Sequence, residues 1–180
     1  MYKITLEVND VTEFGFNYAS YTKSDINEHL PTMHKYANEC DHITEFGVRN
    51  GVSTWAWLAS KAKIIRCFDI KDVRNNLISH HESAKETKKD FTFTCVNTVA
   101  DKLEIEQTDL LFIDTEHTYE QCSKELKMHG NKVNKYIIFH DTTLCPELNK
   151  AIEEFISDNK NWKIKEVFTN NNGLTILEKI

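Results

Sequence analysis

From about Ile43 onward, short apolar runs alternate with segments of helical period. The runs 43–48, 64–70, 91–97, 110–114 and 136–140 are rich in branched and aromatic residues and bounded by polar ones, which predicts five buried strands. Helix-period patterns fall at 53–61, 73–88, 99–105, 118–130 and 146–159. Such alternation predicts parallel strands with crossover helices, the doubly wound α/β class. The last two runs, 163–169 and 174–178, are separated only by a turn containing NNNG and are predicted to form an antiparallel hairpin. The expected sheet is seven-stranded and mostly parallel, closed by that hairpin.

Residues 1–42 read as an extension, and 43–180 as the main domain. Lys3–Val8 alternates as a short strand would, while Val11–Tyr21 is rich in aromatics without a clear period. Ser24 and Asp25 are candidate caps, and Pro31 suits the start of a helix that runs to about Cys40. The segment reads either as a lid over one end of the sheet or as an extra packing layer.

Composition narrows the class. The chain has 180 residues and five glycines, where average usage predicts about a dozen. Twenty-two basic against 28 acidic side chains give a net charge of −6, a sign that repels a phosphate backbone and argues against a nucleic-acid partner. Apolar runs such as Leu110–Ile113 are too short to span a membrane, and the opening MYKITLEV lacks the apolar stretch of a signal peptide. Five cysteines without a C-x-x-C read as reduced thiols, so the expectation is a cytoplasmic protein, with a homodimer as a candidate assembly.

The strongest local signal is EFGVRNGVST, Glu45 to Thr54, where a strand gives way to a helix. Gly47 and Gly51 permit a tight turn and close approach to a ligand, and Ser53 and Thr54 enter the first helical turn, whose free N–H groups suit an anion. Asp69 ends the second strand run, where a carboxylate can take both hydroxyls of a ribose. A dinucleotide fingerprint needs a glycine between the outer two, and Arg49 stands there instead. Glu45 at the strand end would oppose a pyrophosphate but attract an ammonium. A ligand with adenosine, an amino group and a carboxylate fits better, namely S-adenosylmethionine.

In the order EFGVRNGVST, CFD at 67–69, DLLFIDTEHTYE at 109–120 and IIFHDT at 138–143, the sequence resembles class I S-adenosylmethionine-dependent methyltransferases. It is most similar to the small-molecule O-methyltransferase branch that includes macrolide-sugar methyltransferases and cephalosporin-hydroxylase-like proteins. The resemblance covers about 43–180 and implies a Rossmann-like fold with the C-terminal hairpin. It also implies that Glu45, Gly47 and Gly51 line the methionine end of the cofactor; Val48, Arg49, Asn50 and Ser53 of the same turn are further candidate cofactor contacts, with Arg49 and Asn50 standing where many relatives have small residues. Asp69 and Ile70 would take the ribose side, and Asp114 would contact the cofactor from the fourth strand. The family's Gly-Asp-Ser-like stretch is here Asn97, Thr98, Val99, which makes Asn97 and Thr98 the candidate adenine contacts.

Asp114, His117, His140 and Asp141 are the candidate catalytic residues, since they fall at or just past the ends of the fourth and fifth strands. His117 suits a general base for an acceptor hydroxyl. Alternatively, Asp114 and Asp141 could hold a divalent cation such as magnesium, although His140 is a poorer magnesium ligand. Asp114 as a cofactor contact alone, and His140 as a supporting hydrogen-bonding residue, are further readings. His80 and His81 read as solvated, and Trp55 and Trp57 as packing on different neighbours. The expected activity is O-methylation of a small polar acceptor, with a sugar hydroxyl favoured. A NAD-dependent oxidoreductase and a non-catalytic adenosyl-ligand-binding protein are the alternatives.

Overall fold

A computed structural model describes residues 10–180; the alternating segment Lys3–Val8 lies outside the described residues. The strands are β1 (His42–Phe46), β2 (Ile64–Asp69), β3 (Asp90–Cys95), β4 (Thr108–Ile113), β5 (Val133–His140), β6 (Trp162–Phe168) and β7 (Leu174–Lys179). They form one sheet in the order β3-β2-β1-β4-β5-β7-β6. β1 to β5 pair in parallel, and β7 runs antiparallel to both β5 and β6. The predicted mostly parallel sheet with its terminal hairpin is what forms.

The helices are α1 (Val11–Tyr21), α2 (Leu30–Ala37), α3 (Thr54–Leu58), α4 (Ile78–Glu86), α5 (Tyr119–His129) and α6 (Glu147–Asp158). Successive strand residues face opposite sides of a sheet, so β4 sends Leu110 and Phe112 into one core and Leu111 and Ile113 into the other. The first core packs under α1 to α4, the second under α5 and α6. Trp57 is fully buried against Phe112 on the sheet. Trp55 instead packs on His80 and sits where a Cβ on Gly15 of α1 would meet its ring at 2.5 Å.

Three local expectations need correction. Segment 99–105 is a series of turns, because the Asn97 side chain accepts from the Val99 N–H at 3.0 Å and the Asn97 carbonyl from that of Ala100. Val11–Tyr21 is a regular helix, capped by the Asp10 carboxylate on the Thr12 and Glu13 N–H groups. Its inward face carries small residues, Gly15 and Ala19, while Phe14 and Tyr18 point outward, so no apolar period is visible. His80 is buried rather than solvated.

Candidate functional site

The sheet reverses its winding between β1 and β4, and the crevice outside the carboxyl ends of those strands is where α/β sheets take ligands. β1 ends in the glycine turn. Gly47 has a φ of +83°, and a Cβ there would lie 1.9 Å from the Asp114 carbonyl oxygen at the end of β4, so only glycine lets the two strand ends close up. Asp69, at the end of β2, holds this turn. One of its oxygens, Oδ2, accepts from the Val48 and Arg49 N–H groups, each at 2.9 Å, and Oδ1 accepts from that of Lys71 at 2.8 Å.

Glu45 lies behind this turn, not on it. It is 0% exposed, and its carboxylate accepts from Ser53 Oγ at 2.5 Å, Thr54 Oγ1 at 2.7 Å and Cys67 Sγ at 3.1 Å. Burial pushes its pKa up, and the hydroxyl and thiol donors oppose that shift. The structure thus gives Glu45 the task of tying α3 to β1. Gly51 is also buried, with a Cβ blocked by the His80 imidazole at 2.6 Å. His80 Nε2 donates to the Gly51 carbonyl at 2.9 Å, and burial lowers its pKa to about 4.

The carboxyl ends of β4 and β5 bring four titratable groups together. His117 Nε2 lies 2.9 Å from Asp141 Oδ2 and 3.2 Å from Asp114 Oδ1. The two carboxylates raise the His117 pKa to about 10, so the ring carries both protons at neutral pH. His140 is almost wholly buried, with Nε2 facing the carbonyls of Asp25 at 3.0 Å and Asn171 at 3.1 Å, which requires a proton on that nitrogen. Its Nδ1 faces Asp141 at 3.2 Å and Asp114 at 3.5 Å, at ion-pair distance but without an aligned hydrogen bond. Burial lowers the His140 pKa and the carboxylates raise it further, so the net shift is upward. Both aspartates stay ionised, because the two imidazoles outweigh the cost of burial. Asp141 has a left-handed φ of 60°, so the backbone is strained where it presents this carboxylate.

Asp114, His140 and Asp141 place one donor atom each within 4.8 Å of one another, the spacing of a cation site. Their chemistry does not fit magnesium. That ion prefers oxygen ligands, and one donor here is an imidazole nitrogen. The charge that two adjacent carboxylates need is already supplied by His117, whose Nε2 contacts both, and by the His140 ring.

Two adjoining cavities open on this strand-end surface. One, of about 380 Å³, is bounded by the glycine turn, by Asp114, His117 and Asp141, and by Ser24, Asp25 and Ile26 of the N-terminal segment. The other, of about 720 Å³, runs from Gly47 past Asp69 and Ile70 to Asn97, Thr98 and Gln121. Both are lined by Gly47, Arg49, Asn50, Asp114 and Thr115. Of the residues singled out in the sequence, Val48 and Ser53 line the smaller cavity, whereas Glu45, Gly51 and His140 line neither. Exposed Arg49 reaches across to Asp25 in an ion pair of 2.9 Å, bridging the turn and the N-terminal segment.

At the far wall of the larger cavity the sequence reading named Asn97 and Thr98 but missed Thr115, Gln121 and the Glu125 behind them. Thr98, Thr115 and Gln121 all donate to the carboxylate of Glu125 on α5, which is 0% exposed. The one sequence signal was the four-residue spacing of Gln121 and Glu125, which puts them on one helix face.

No protein-family model and no curated protein sequence matches the chain. Solved structures do match. A protein of Corynebacterium glutamicum superposes with a TM-score of 0.69 at 11% identity, over 97% of this chain and 92% of that one. The O-methyltransferase of Bacillus cereus in complex with SAH gives 0.65 at 12% identity, over 94% and 90%. The SAH-bound methyltransferase PaMTH1 of Podospora anserina gives 0.60 at 14% identity, over 95% and 88%. The chain therefore has the Rossmann-like methyltransferase fold. Among the described residues no helix is long and apolar enough to cross a membrane.

Proposed function

We propose that the protein transfers a methyl group from S-adenosylmethionine to an oxygen of a small polar acceptor, with a sugar hydroxyl favoured. The observation that carries this reading is the pair of cavities meeting at Gly47 and Asp114, one edged by Asp69 and the other by His117 and Asp141. The Podospora anserina and Bacillus cereus neighbours, which carry SAH, share the fold.

In this reading the larger cavity takes the adenosyl half. Asp69 spends one lone pair on each of three backbone N–H groups and keeps one, on Oδ1, for a ribose hydroxyl. The Gly47 turn leaves room for the methionine end beside Asp114. S-adenosylmethionine bound there supplies an electrophilic methyl on a sulfonium.

The smaller cavity takes the acceptor. Its walls include Ser24, Asp25, Asn50 and Asp141 and, among the described residues, no Phe, Tyr or Trp, which suits a polyol better than an aromatic ring. His117 is the proposed proton acceptor. Its Nε2–H is held by the two carboxylates, so in the fraction of molecules that has lost the second proton Nδ1 is left to accept from the acceptor hydroxyl. Asp114 and Asp141 would stabilise the imidazolium formed when Nδ1 takes the acceptor proton. Meanwhile the acceptor oxygen bonds to the methyl carbon, the sulfonium S–C bond breaks with its electron pair left on sulfur, and S-adenosylhomocysteine leaves. Holding the two reactants on either side of Gly47 supplies the rest by proximity.

The test is thermal denaturation with S-adenosylmethionine, S-adenosylhomocysteine and NAD. Stabilisation by the first two alone supports the reading. Stabilisation by NAD alone would end it.

A further inference from the structure

Glu125 can only accept hydrogen bonds when ionised, and it takes three: from Thr98 Oγ1 at 2.5 Å, Thr115 Oγ1 at 2.9 Å and Gln121 Nε2 at 2.9 Å. Thr98 Oγ1 has a single proton and spends it on Glu125, so it meets Gln121 Nε2, at 3.1 Å, as an acceptor. Both groups at this end of the Gln121 amide are therefore acceptors. That fixes the amide with its NH2 turned toward Glu125 and Thr98. The reverse orientation would press Oε1 against two oxygens and forfeit both bonds. Among the described residues no donor reaches Oε1, and Gln121 lines the larger cavity.

Resting on the S-adenosylmethionine reading, we propose that Gln121 Oε1 selects the base of the bound nucleoside by accepting from its exocyclic amino group, with Glu125 as the positioning residue that sets the amide. Asp69 takes the ribose at one side of the cavity, so the base extends past Ile70 toward Asn97 and Gln121. An acceptor at that point pairs with the 6-amino group of adenine and faces the 6-oxo group of hypoxanthine as an unpaired like partner. Glu125 is buried, with its pKa pushed up by burial and held down by the three donors; it touches no ligand and acts only through Gln121 and the two threonines.

The experiment is calorimetric titration of the whole chain with S-adenosylhomocysteine and with S-inosylhomocysteine. The wild type is expected to prefer the adenosyl ligand by about tenfold or more. Gln121→Met, which keeps the side chain's length, is expected to bring the two affinities to within about twofold, mainly by weakening the adenosyl complex. Glu125→Gln offers a donor where the carboxylate had none, releases the amide to turn, and is expected to narrow the preference in the same way. A merely structural role would weaken both ligands by the same factor and leave their ratio unchanged. Adenosyl binding by the wild type with that ratio unaltered in both variants overturns the inference and leaves the cofactor reading standing. No adenosyl binding by the wild type overturns both.

Discussion

Gly47 and Asp114 lie so close that a methyl group on the first would sit 1.9 Å from the carbonyl oxygen of the second. The contact joins the ends of β1 and β4 at the point where both cavities meet. Gly47→Ala adds a clash with backbone to a left-handed φ, and neither can relax without parting the strand ends. A loss of at least about 2 kcal/mol in denaturant unfolding is expected. S-adenosylhomocysteine binding should be lost with it. Wild-type stability in this variant would show that the strand ends are free to separate.

Asp69 is expected to have two duties, holding the turn and binding ribose. Asp69→Asn puts an amide in place of a carboxylate oxygen that now faces backbone donors at 2.8 to 2.9 Å. Stability should fall by about 1–3 kcal/mol. Affinity for S-adenosylhomocysteine, measured by calorimetry, should fall by more than tenfold. An affinity within twofold of wild type would remove Asp69 from the ribose site.

His117→Ala is expected to spare cofactor binding and to cut turnover by about a hundredfold or more. Because its pKa is raised to about 10, the wild-type ring is mostly protonated at pH 7 and only the deprotonated fraction can take the acceptor's proton. Turnover should therefore climb as pH rises from 7 toward 10, and the slope should vanish in the variant. Treatment with EDTA is expected to leave activity unchanged. Loss of activity on chelation, restored by a divalent cation, would move the role of Asp114 and Asp141 from holding an imidazole to holding a metal.

His80 makes a separate demand on acid stability. Burial lowers its folded pKa from 6.5 to about 4, and among the described residues its Nδ1 has no partner. The unfolded chain takes up this proton near pH 6.5 and the folded one only near 4. The contribution is thus whole above pH 6.5 and lost as the pH falls toward 4, by up to about 3 kcal/mol. His80→Phe keeps the packing on Trp55 but cannot titrate. Its unfolding free energy should vary less than the wild type's across that range, and an identical pH profile would refute the assignment.

Much of this was legible before any coordinates. The strands could be read because a strand buried on both faces is a short, continuous apolar run, and the hairpin because only the five residues TNNNG separate β6 from β7. The turn after β1 was legible because two glycines in a chain that has five point to a backbone requirement. Helix α1 was not, since its buried side is marked by what is missing at Gly15 and Ala19. Glu45 was placed at the strand end correctly, but whether a strand-end carboxylate faces ligand or core depends on Ser53, Thr54 and Cys67 closing over it.

Local pattern by itself determined the succession of strands from β1 to β7, most of the helices between them, the position of the crevice and the aspartates at its rim, because period and turn chemistry act over a few residues at a time. Tertiary structure alone decided which polar groups share a partner. Glu125 gathers Thr98 and Thr115 from two different loops, and His117 is shared between Asp114 and Asp141 from two different strand ends. Hydrogen bonds and ion pairs depend on distances of a few ångströms between side chains far apart along the chain. Those distances exist only once the sheet has brought its carboxyl ends together.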